Sequence, residues 1–399
     1  MSLLDALPTP RLRWDGRHPN TVLVSLSLIM LAAFWGLDVV SMAPNRIVQG
    51  TSYGALEALG WPGALLATLL LSFIGILAWQ PSHRHYRALL AAVMTLMALM
   101  PVGLIASSYL LIDPELPQAR LGLGAAYWVV LFVLLLCLIE IRLRLKLTRL
   151  WPTLLLCGVA LVWWLCATLW LDSLALVQEF KARDRQFLRA IGQHVTLVGA
   201  AVSISVVVGL VLAMLMRRYA RLQKGAFAVL NFLQTIPSLA LFGLLLAPLA
   251  WLAANVPLLG QLGVSGIGTT PALIALIAYS LLPMVRNTYI ALEEVSPDTL
   301  EAAKGMGMRA SQRFWQVRLP LALPVLLEGV RITTVQAIGL TAVAALIGAG
   351  GLGTFIFQGL GQAAMDMVLL GALPILMLAL VVDAGLGALA EALRPGGTR

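Results

Sequence analysis

Three charged side chains stand inside long apolar runs of this chain: Glu328 and Arg331, three residues apart in one run, and Asp383 in another. Arg286 lies toward the end of a neighbouring run. Charges in hydrocarbon are costly and commonly serve a function. Glu328 and Arg331 fall on one helix face and can pair with each other, or they can contact a polar solute; Glu328 and Asp383 are the carboxylates that could bind a proton or another ion. Other chemistry is hard to assemble. His18, His83, His85 and His194 sit near the ends of apolar runs, with no arrangement that resembles a metal site or a nucleophile relay. Cys137, Cys157 and Cys166 fall within apolar runs, where cysteine behaves as a small hydrophobe. Neither a disulfide, a metal site nor a catalytic residue is expected. A Gly-x-x-x-x-Gly-Lys-Ser/Thr phosphate loop does not occur in the sequence, so no cofactor is expected on this chain and energy must come from a partner or an ion gradient. The glycine-rich run 348–353 has no preceding strand and reads as a turn that lets the chain re-enter.

A polar insert, residues 293–324, separates two apolar runs and carries Glu301-Ala302-Ala303, then Gly307 four residues after Ala303, then Val317-x-Leu319-Pro320. Ser296-Pro297-Asp298 reads as a helix start: serine can cap, proline suits the first helical position, and aspartate complements the positive end of the dipole. The spacing predicts a short helix over 298–304, broken by Gly305 and Gly307 in left-handed conformations, then a second short turn of helix over 310–315. Met306, Met308, Phe314 and Trp315 beside Lys304, Arg309 and Arg313 make a surface suited to a partner groove. An amphipathic loop lying on the membrane is the other reading of the same residues.

A second polar interruption, Asn231 to Phe242, includes Gln234-Thr235-Ile236-Pro237-Ser238. Proline removes a backbone donor in mid-membrane, which is tolerated only where protein or water satisfies the freed groups. Either Pro237 marks a packing kink, or it bends a helix so that Gln234, Thr235 and Ser238 face a polar cavity. An aromatic cage on Trp163 and Trp164 is not expected, because adjacent helical residues point about 100° apart.

These residues must be positioned by membrane helices. With 60% apolar and 11% charged residues and a mean hydropathy of +0.92, the chain reads as an all-α polytopic membrane protein. Runs long enough to cross about 30 Å of hydrocarbon, roughly 20 helical residues, fall at 21–37, 61–79, 88–112, 121–139, 151–171, 195–216, 226–253, 271–290, 320–347 and 367–389, giving about ten transmembrane helices. The first is read as a retained span rather than a signal peptide. Nineteen Lys and Arg residues fall in alternate loops and at both ends, among them Arg11, Arg13, Arg17, Arg149, Arg394 and Arg399, against six in the opposite loops, which predicts cytoplasmic termini. The net charge of +9 is thereby read as topology, with no nucleic-acid partner. The mixed-charge stretch 172–190 is expected at the membrane surface, dividing an accessory region (1–189, about five helices) from a second five-span region (190–390) and a cytoplasmic tail (391–399).

Taken together, Gln234 to Ser238, Leu282-Pro283-Met284-Val285-Arg286-Asn287-Thr288-Tyr289, the Glu301 loop and Ile347 to Gly353 resemble permease subunits of ATP-binding-cassette importers, in the osmoprotectant branch that takes up glycine betaine, choline, carnitine or proline-type solutes. The resemblance covers residues 190–390. It implies a five-helix, methionine-importer-like core in a bacterial inner membrane, surrounded by lipid. It also implies ATPase subunits that bind ATP below, an extracytoplasmic solute-binding protein above, and a second permease copy or paralogue alongside. On this resemblance Glu301, Ala302, Ala303, Gly305, Gly307 and Arg309 shape the ATPase-docking loop, and Gln234, Thr235, Pro237, Ser238, Arg286, Asn287, Glu328 and Arg331 are candidates for the solute path. The same architecture could serve another small solute, and an ion-coupled secondary transporter is the alternative of a different class. Residues 1–189 depart from the shorter members of that branch.

Overall fold

A computed structural model describes residues 18–46, 48–113, 115–116, 118–147 and 150–393, the side chains of 150–152 and 220 excepted. Arg11, Arg13, Arg17, Arg149, Arg394 and Arg399, and the tail beyond residue 393, lie outside the described residues. The chain divides into two compact units, Met1–Lys181 and Ala182–Arg399.

The first unit contains α1 (Thr21–Gly36), α2 (Ala55–Trp79), α3 (His83–Leu111), α4 (Ala125–Leu145), α5 (Leu150–Leu169) and α6 (Ala175–Ala182). Asn20 caps α1 by accepting from the Leu23 N–H, while its amide donates to Tyr86 and Glu140, joining the starts of α1 and α3 to the end of α4. A small antiparallel sheet, in the order β2-β1-β3, is made of β1 (Val40–Ala43), β2 (Thr51–Tyr53) and β3 (Arg120–Leu123). Strands this short leave no usable alternation in sequence. β3 takes the start of the run expected to form the fourth span, which begins instead at Ala125.

The expected surface linker begins as part of this unit. Leu121 N–H donates to Ser173, Gln178 donates to the Ala119 carbonyl, and Glu179, only 2% exposed, meets Arg120 at 2.7 Å and Arg46 at 3.1 Å. A buried carboxylate is tolerable only when paired, so these two arginines hold α6 against the sheet.

Pro101 breaks the hydrogen-bond ladder of α3, since without an N–H it leaves the Met97 carbonyl, four residues earlier, without its helical donor. Trp163 of α5 supplies the missing donor, its Nε1–H reaching the Met97 oxygen at 3.0 Å. Trp163 is thus committed to a backbone group, while Trp164 is exposed, and no cage forms. Trp163→Phe is expected to cost about 1–3 kcal/mol, the penalty of an unmade buried hydrogen bond. Adding Pro101→Ala should recover much of that loss in thermal unfolding, because the helix then satisfies its own carbonyl.

The second unit contains α7 (Asp184–Arg218), α8 (Ala220–Thr235), α9 (Ser238–Asn255), α10 (Pro257–Gln261), α11 (Thr269–Glu293), α12 (Pro297–Gly305), α13 (Ala310–Gln312), α14 (Leu319–Ala344), α15 (Gly353–Gly361) and α16 (Met365–Ala392). α11 packs between α7 and α14, and α14 packs on α16. Small residues at the contacts (Ala201, Ala272, Ala275 and Ala344) let the backbones approach, as membrane interfaces require. Among the described residues eight helices are long and apolar enough to span, and the shorter apolar helices Thr21–Gly36 and Thr153–Leu169 complete the set of apolar helices. One expected span, 226–253, is corrected. Ile236 and Pro237 are extended, so the run divides into α8 and α9, and α9 alone is long and apolar enough to cross.

After α14 the chain turns at Gly348, Gly350 and Gly351, all with positive φ, and continues as α15. Gly353 must be glycine, since a Cβ there would stand 2.0 Å from the Ala342 oxygen. Gln193 fastens this turn to α7 by accepting from the Gly351 N–H at 3.0 Å.

Candidate functional site

The polar insert is built on a clamped base. At the end of α11 the Leu292 carbonyl accepts from Arg217 at 3.1 Å and from Arg318 at 2.9 Å. Two cations at a helix C-terminus complement the negative end of its dipole, and they bring the ends of α7 and α14 to the root of the loop. Sequence reasoning counted both arginines as topology signals and missed this role. Arg318 lies within the insert at the mouth of the span that follows, which was the signal available for it, whereas Arg217, 75 residues before Leu292, gave none.

From that base, Pro297 occupies the first turn of α12 and Asp298 follows it, whereas the Ser296 side chain makes no capping hydrogen bond. Glu301 and Ala302 are exposed along α12, while Ala303 is buried and faces inward. Gly305 is corrected: it is the last residue of α12, in the helix. The break belongs to Gly307, with φ +79°, and open space surrounds it. Arg309 N–H is then capped by the Gln312 side chain at 2.8 Å. The expected separate second helix is also corrected, because α13 passes through a π-helical turn, Arg313–Arg318, directly into α14. Phe314 packs with Leu300 onto Ala291, Leu292, Val295, Ala322 and Leu326, so it belongs to the interior, whereas Met306 (75% exposed) and Trp315 (63%) face outward. A side chain at 314 is drawn inward because the loop must cover the apolar end of α11.

The α8–α9 interruption forms a second site. Gln234, Thr235, Pro237 and Ser238 line one pocket of about 480 Å³ with Tyr279 of α11 and Gln336, Gly339 and Val343 of α14. Pro283 leaves the Tyr279 carbonyl without its helical donor, and Gln234 supplies one, Nε2 to oxygen at 2.9 Å. In return the Tyr279 hydroxyl donates to the Ile236 carbonyl beside Pro237. Each interrupted helix thereby satisfies the other. Tyr279 was missed from sequence, although Pro283 pointed to it: the residue four before a helical proline always has a carbonyl to satisfy.

Arg286, Asn287, Glu328 and Arg331 do not join this pocket. Arg286 is exposed and Asn287 donates to Pro283 within α11. Arg331 reaches Glu328 at 3.1 Å and grips Asp383 of α16 through two bonds, 2.7 and 2.8 Å. That fork fastens α14 to α16. Among the described residues no group of His, Cys, Asp and Glu could hold a metal ion.

Residues 205–395 match the family described as binding-protein-dependent transport system inner membrane component, and residues 18–177 match one described as ABC transporter permease YehY, N-terminal domain. An osmoprotectant import permease protein, OsmW, of Salmonella typhimurium is 42% identical over 207 residues, 52% of this chain and 91% of that protein. The choline transport system permease protein OpuBB of Bacillus subtilis is 36% identical over 225 residues, 56% of this chain and 95% of that protein. The chain belongs to the ABC importer permeases of the inner membrane. A chain of the MetNI methionine ABC transporter in an inward-facing conformation is similar over 55% of this permease and 99% of its own length, at 22% identity and a TM-score of 0.45.

In this permease the Gln234–Tyr279 pair is expected to be coupled. Gln234→Leu strands the Tyr279 carbonyl and Tyr279→Phe strands that of Ile236, each at about 1–3 kcal/mol. A double-mutant cycle read by thermal unfolding should show non-additivity, since both bonds fix one contact.

Proposed function

We propose that the permease carries an osmoprotectant such as glycine betaine or choline into the cytoplasm, driven by ATP bound and hydrolysed on separate subunits that dock on the α12 loop. The observation that carries this reading is the loop: an exposed Glu301–Ala302 face and a left-handed glycine corner in open space, on a base clamped to three membrane helices. Movement of α12 by a partner is thereby delivered to α7, α11 and α14 at once. The relatives named above supply the solute class.

The α8–α9 pocket is the candidate path. Its polar groups are hydroxyls and amides, with no carboxylate among its lining residues. Such a surface can wet a small zwitterion or quaternary ammonium ion without holding it, as conduction requires. An extracytoplasmic binding protein then provides selectivity, and a second permease copy or paralogue completes the path. Cytoplasmic termini follow from the charge bias.

An ion-coupled mechanism finds less support, because Arg331 engages both candidate carboxylates, Glu328 and Asp383. The test is uptake of radiolabelled glycine betaine into vesicles that contain the permease, its ATPase and its binding protein. Uptake that requires ATP on the ATPase side supports the reading. Uptake driven by an ion gradient without the ATPase overturns it.

A further inference from the structure

We infer that His194 is an acid-sensitive latch: it holds the glycine turn 348–353 against α7 only while its imidazole is neutral, so that a proton on the ring leaves the turn open. The inference concerns the second unit alone and stands whichever solute the permease carries.

His194 lies on α7 and is fully buried. Its Nε2 meets the Ile338 carbonyl of α14 at 3.1 Å. A carbonyl oxygen only accepts, so this nitrogen carries the hydrogen and Nδ1 keeps a bare lone pair. Nδ1 is itself buried and has no hydrogen-bond partner. The ring lies against the turn, since a Cβ on Gly351 would stand 3.3 Å from Nδ1 and 3.5 Å from the Cα and Cβ of His194. Gln193, the residue before it, accepts from the Gly351 N–H, so the turn rests on two consecutive side chains of α7.

A second proton can go only to Nδ1. There it would make a donor with no acceptor within hydrogen-bond distance, on a ring that had become a buried cation. Nothing nearby offsets that charge. The turn and α15 carry no charged side chain between residues 348 and 361, α14 has none beyond Arg331, and α11 has none before Arg286. On α16, Asp366 stands in the first turn and Asp383 is held by Arg331. On α7 the nearest charge is Arg189, five residues earlier and exposed. Among the described residues no charged group acts on the ring, whose one polar contact is the Ile338 carbonyl.

The closed turn therefore excludes the imidazolium, and protonation must wait for a local opening that lets water reach Nδ1. Once protonated, the ring cannot return to its place, so acid draws the turn toward the open form by linkage. Ile338 shares a stretch of α14 with Gly339, Leu340 and Val343, which line the α8–α9 pocket. Opening the turn then loosens one wall of the candidate path, a consequence that rests on the reading of that pocket given above.

The full-length chain in lipid nanodiscs is exchanged into deuterium at about pH 7.5 and about pH 5, and the amides of 348–355 are followed by mass spectrometry, each rate divided by that of the same peptide unfolded at the same pH. An exposed imidazole titrates near about 6.5. If only the open turn takes the proton, the closed turn keeps its full stability above that value and loses it as the pH falls below, so the opening constant rises roughly thirtyfold between the two conditions. We expect that loss of protection over 348–355, with less than about a twofold change over 197–216 and 272–282. His194→Gln, whose amide can still donate to Ile338 but takes up no proton, should keep the turn equally protected at both pH values. Because the turn holds no other titratable side chain, confinement of the loss to it tests the inference on the wild type even where the variant fails to fold. Unchanged protection of the wild-type turn, a loss spread evenly over the second unit, or an equal loss in His194→Gln would each overturn the inference.

Discussion

Gly307→Val is expected to reduce ATP-driven uptake at least a hundredfold while the purified permease unfolds at nearly the wild-type temperature. The two effects separate because the glycine is needed for its backbone angle alone. At φ +79° a β-branched residue is strained by about 1–3 kcal/mol, yet nothing lies within 4 Å of the added Cβ, so no core contact is lost. The strain is relieved by turning the corner differently, which moves Met306, Met308 and Arg309 away from the Glu301–Ala302 face. An ATPase docked on the loop as proposed, across both sides of the corner, then loses its footing. Gly307→Asn, which tolerates the left-handed region, should retain most uptake and serves as the control. Co-purification of the ATPase reads the same loss directly. Full uptake by Gly307→Val would sink the docking assignment.

The second large effect belongs to Arg331. Arg331→Met should lower the unfolding temperature by a few degrees, since it removes the two-bonded link from α14 to Asp383 of α16 and the contact with Glu328, charge-assisted bonds between partly exposed groups worth about 1–3 kcal/mol together. Neutralising the acids as well, in Arg331→Met with Glu328→Gln and Asp383→Asn, should restore part of the stability, because the two carboxylates then no longer carry charge without Arg331 beside them. ATP-driven uptake by this triple variant should stay within a few fold of wild type. Were either acid a coupling group, restored stability would come with abolished transport.

How far the sequence went depended on the range of the interaction concerned. Apolar length located the helices, and the proline and aspartate of residues 297–298 located α12, because each is decided within a few neighbouring residues. The loop's exposed Met306 and Trp315 were legible for the same reason. Phe314 was misjudged, since its direction is set by an apolar cluster on α11 and α14 that no local pattern displays. The sheet escaped because its three strands are three or four residues long and pair across 77 positions of chain between Ala43 and Arg120. Of the proposed path, Gln234, Thr235, Pro237 and Ser238 were near neighbours in sequence and share a pocket. Arg286, Asn287, Glu328 and Arg331 rest on their polarity within apolar runs and on the family resemblance, and neither says which way a helix is turned.

The proline breaks impose an order on biogenesis. Pro283 of α11 enters the membrane after Gln234, so the donor for its stranded carbonyl is already present, 45 residues earlier in the chain. Pro101 meets the reverse situation: the donor for Met97 is Trp163, 66 residues further on. At a synthesis rate of about 5–20 residues per second, α3 spends some 3–13 s with an open carbonyl that hydrocarbon cannot satisfy. The nascent α3 must be sheltered for that interval, beside the insertion machinery or a water-filled crevice, until α5 arrives. A ribosome stalled shortly before residue 163 should therefore leave α3 extractable or misplaced, whereas stalling beyond α5 should leave it locked in place.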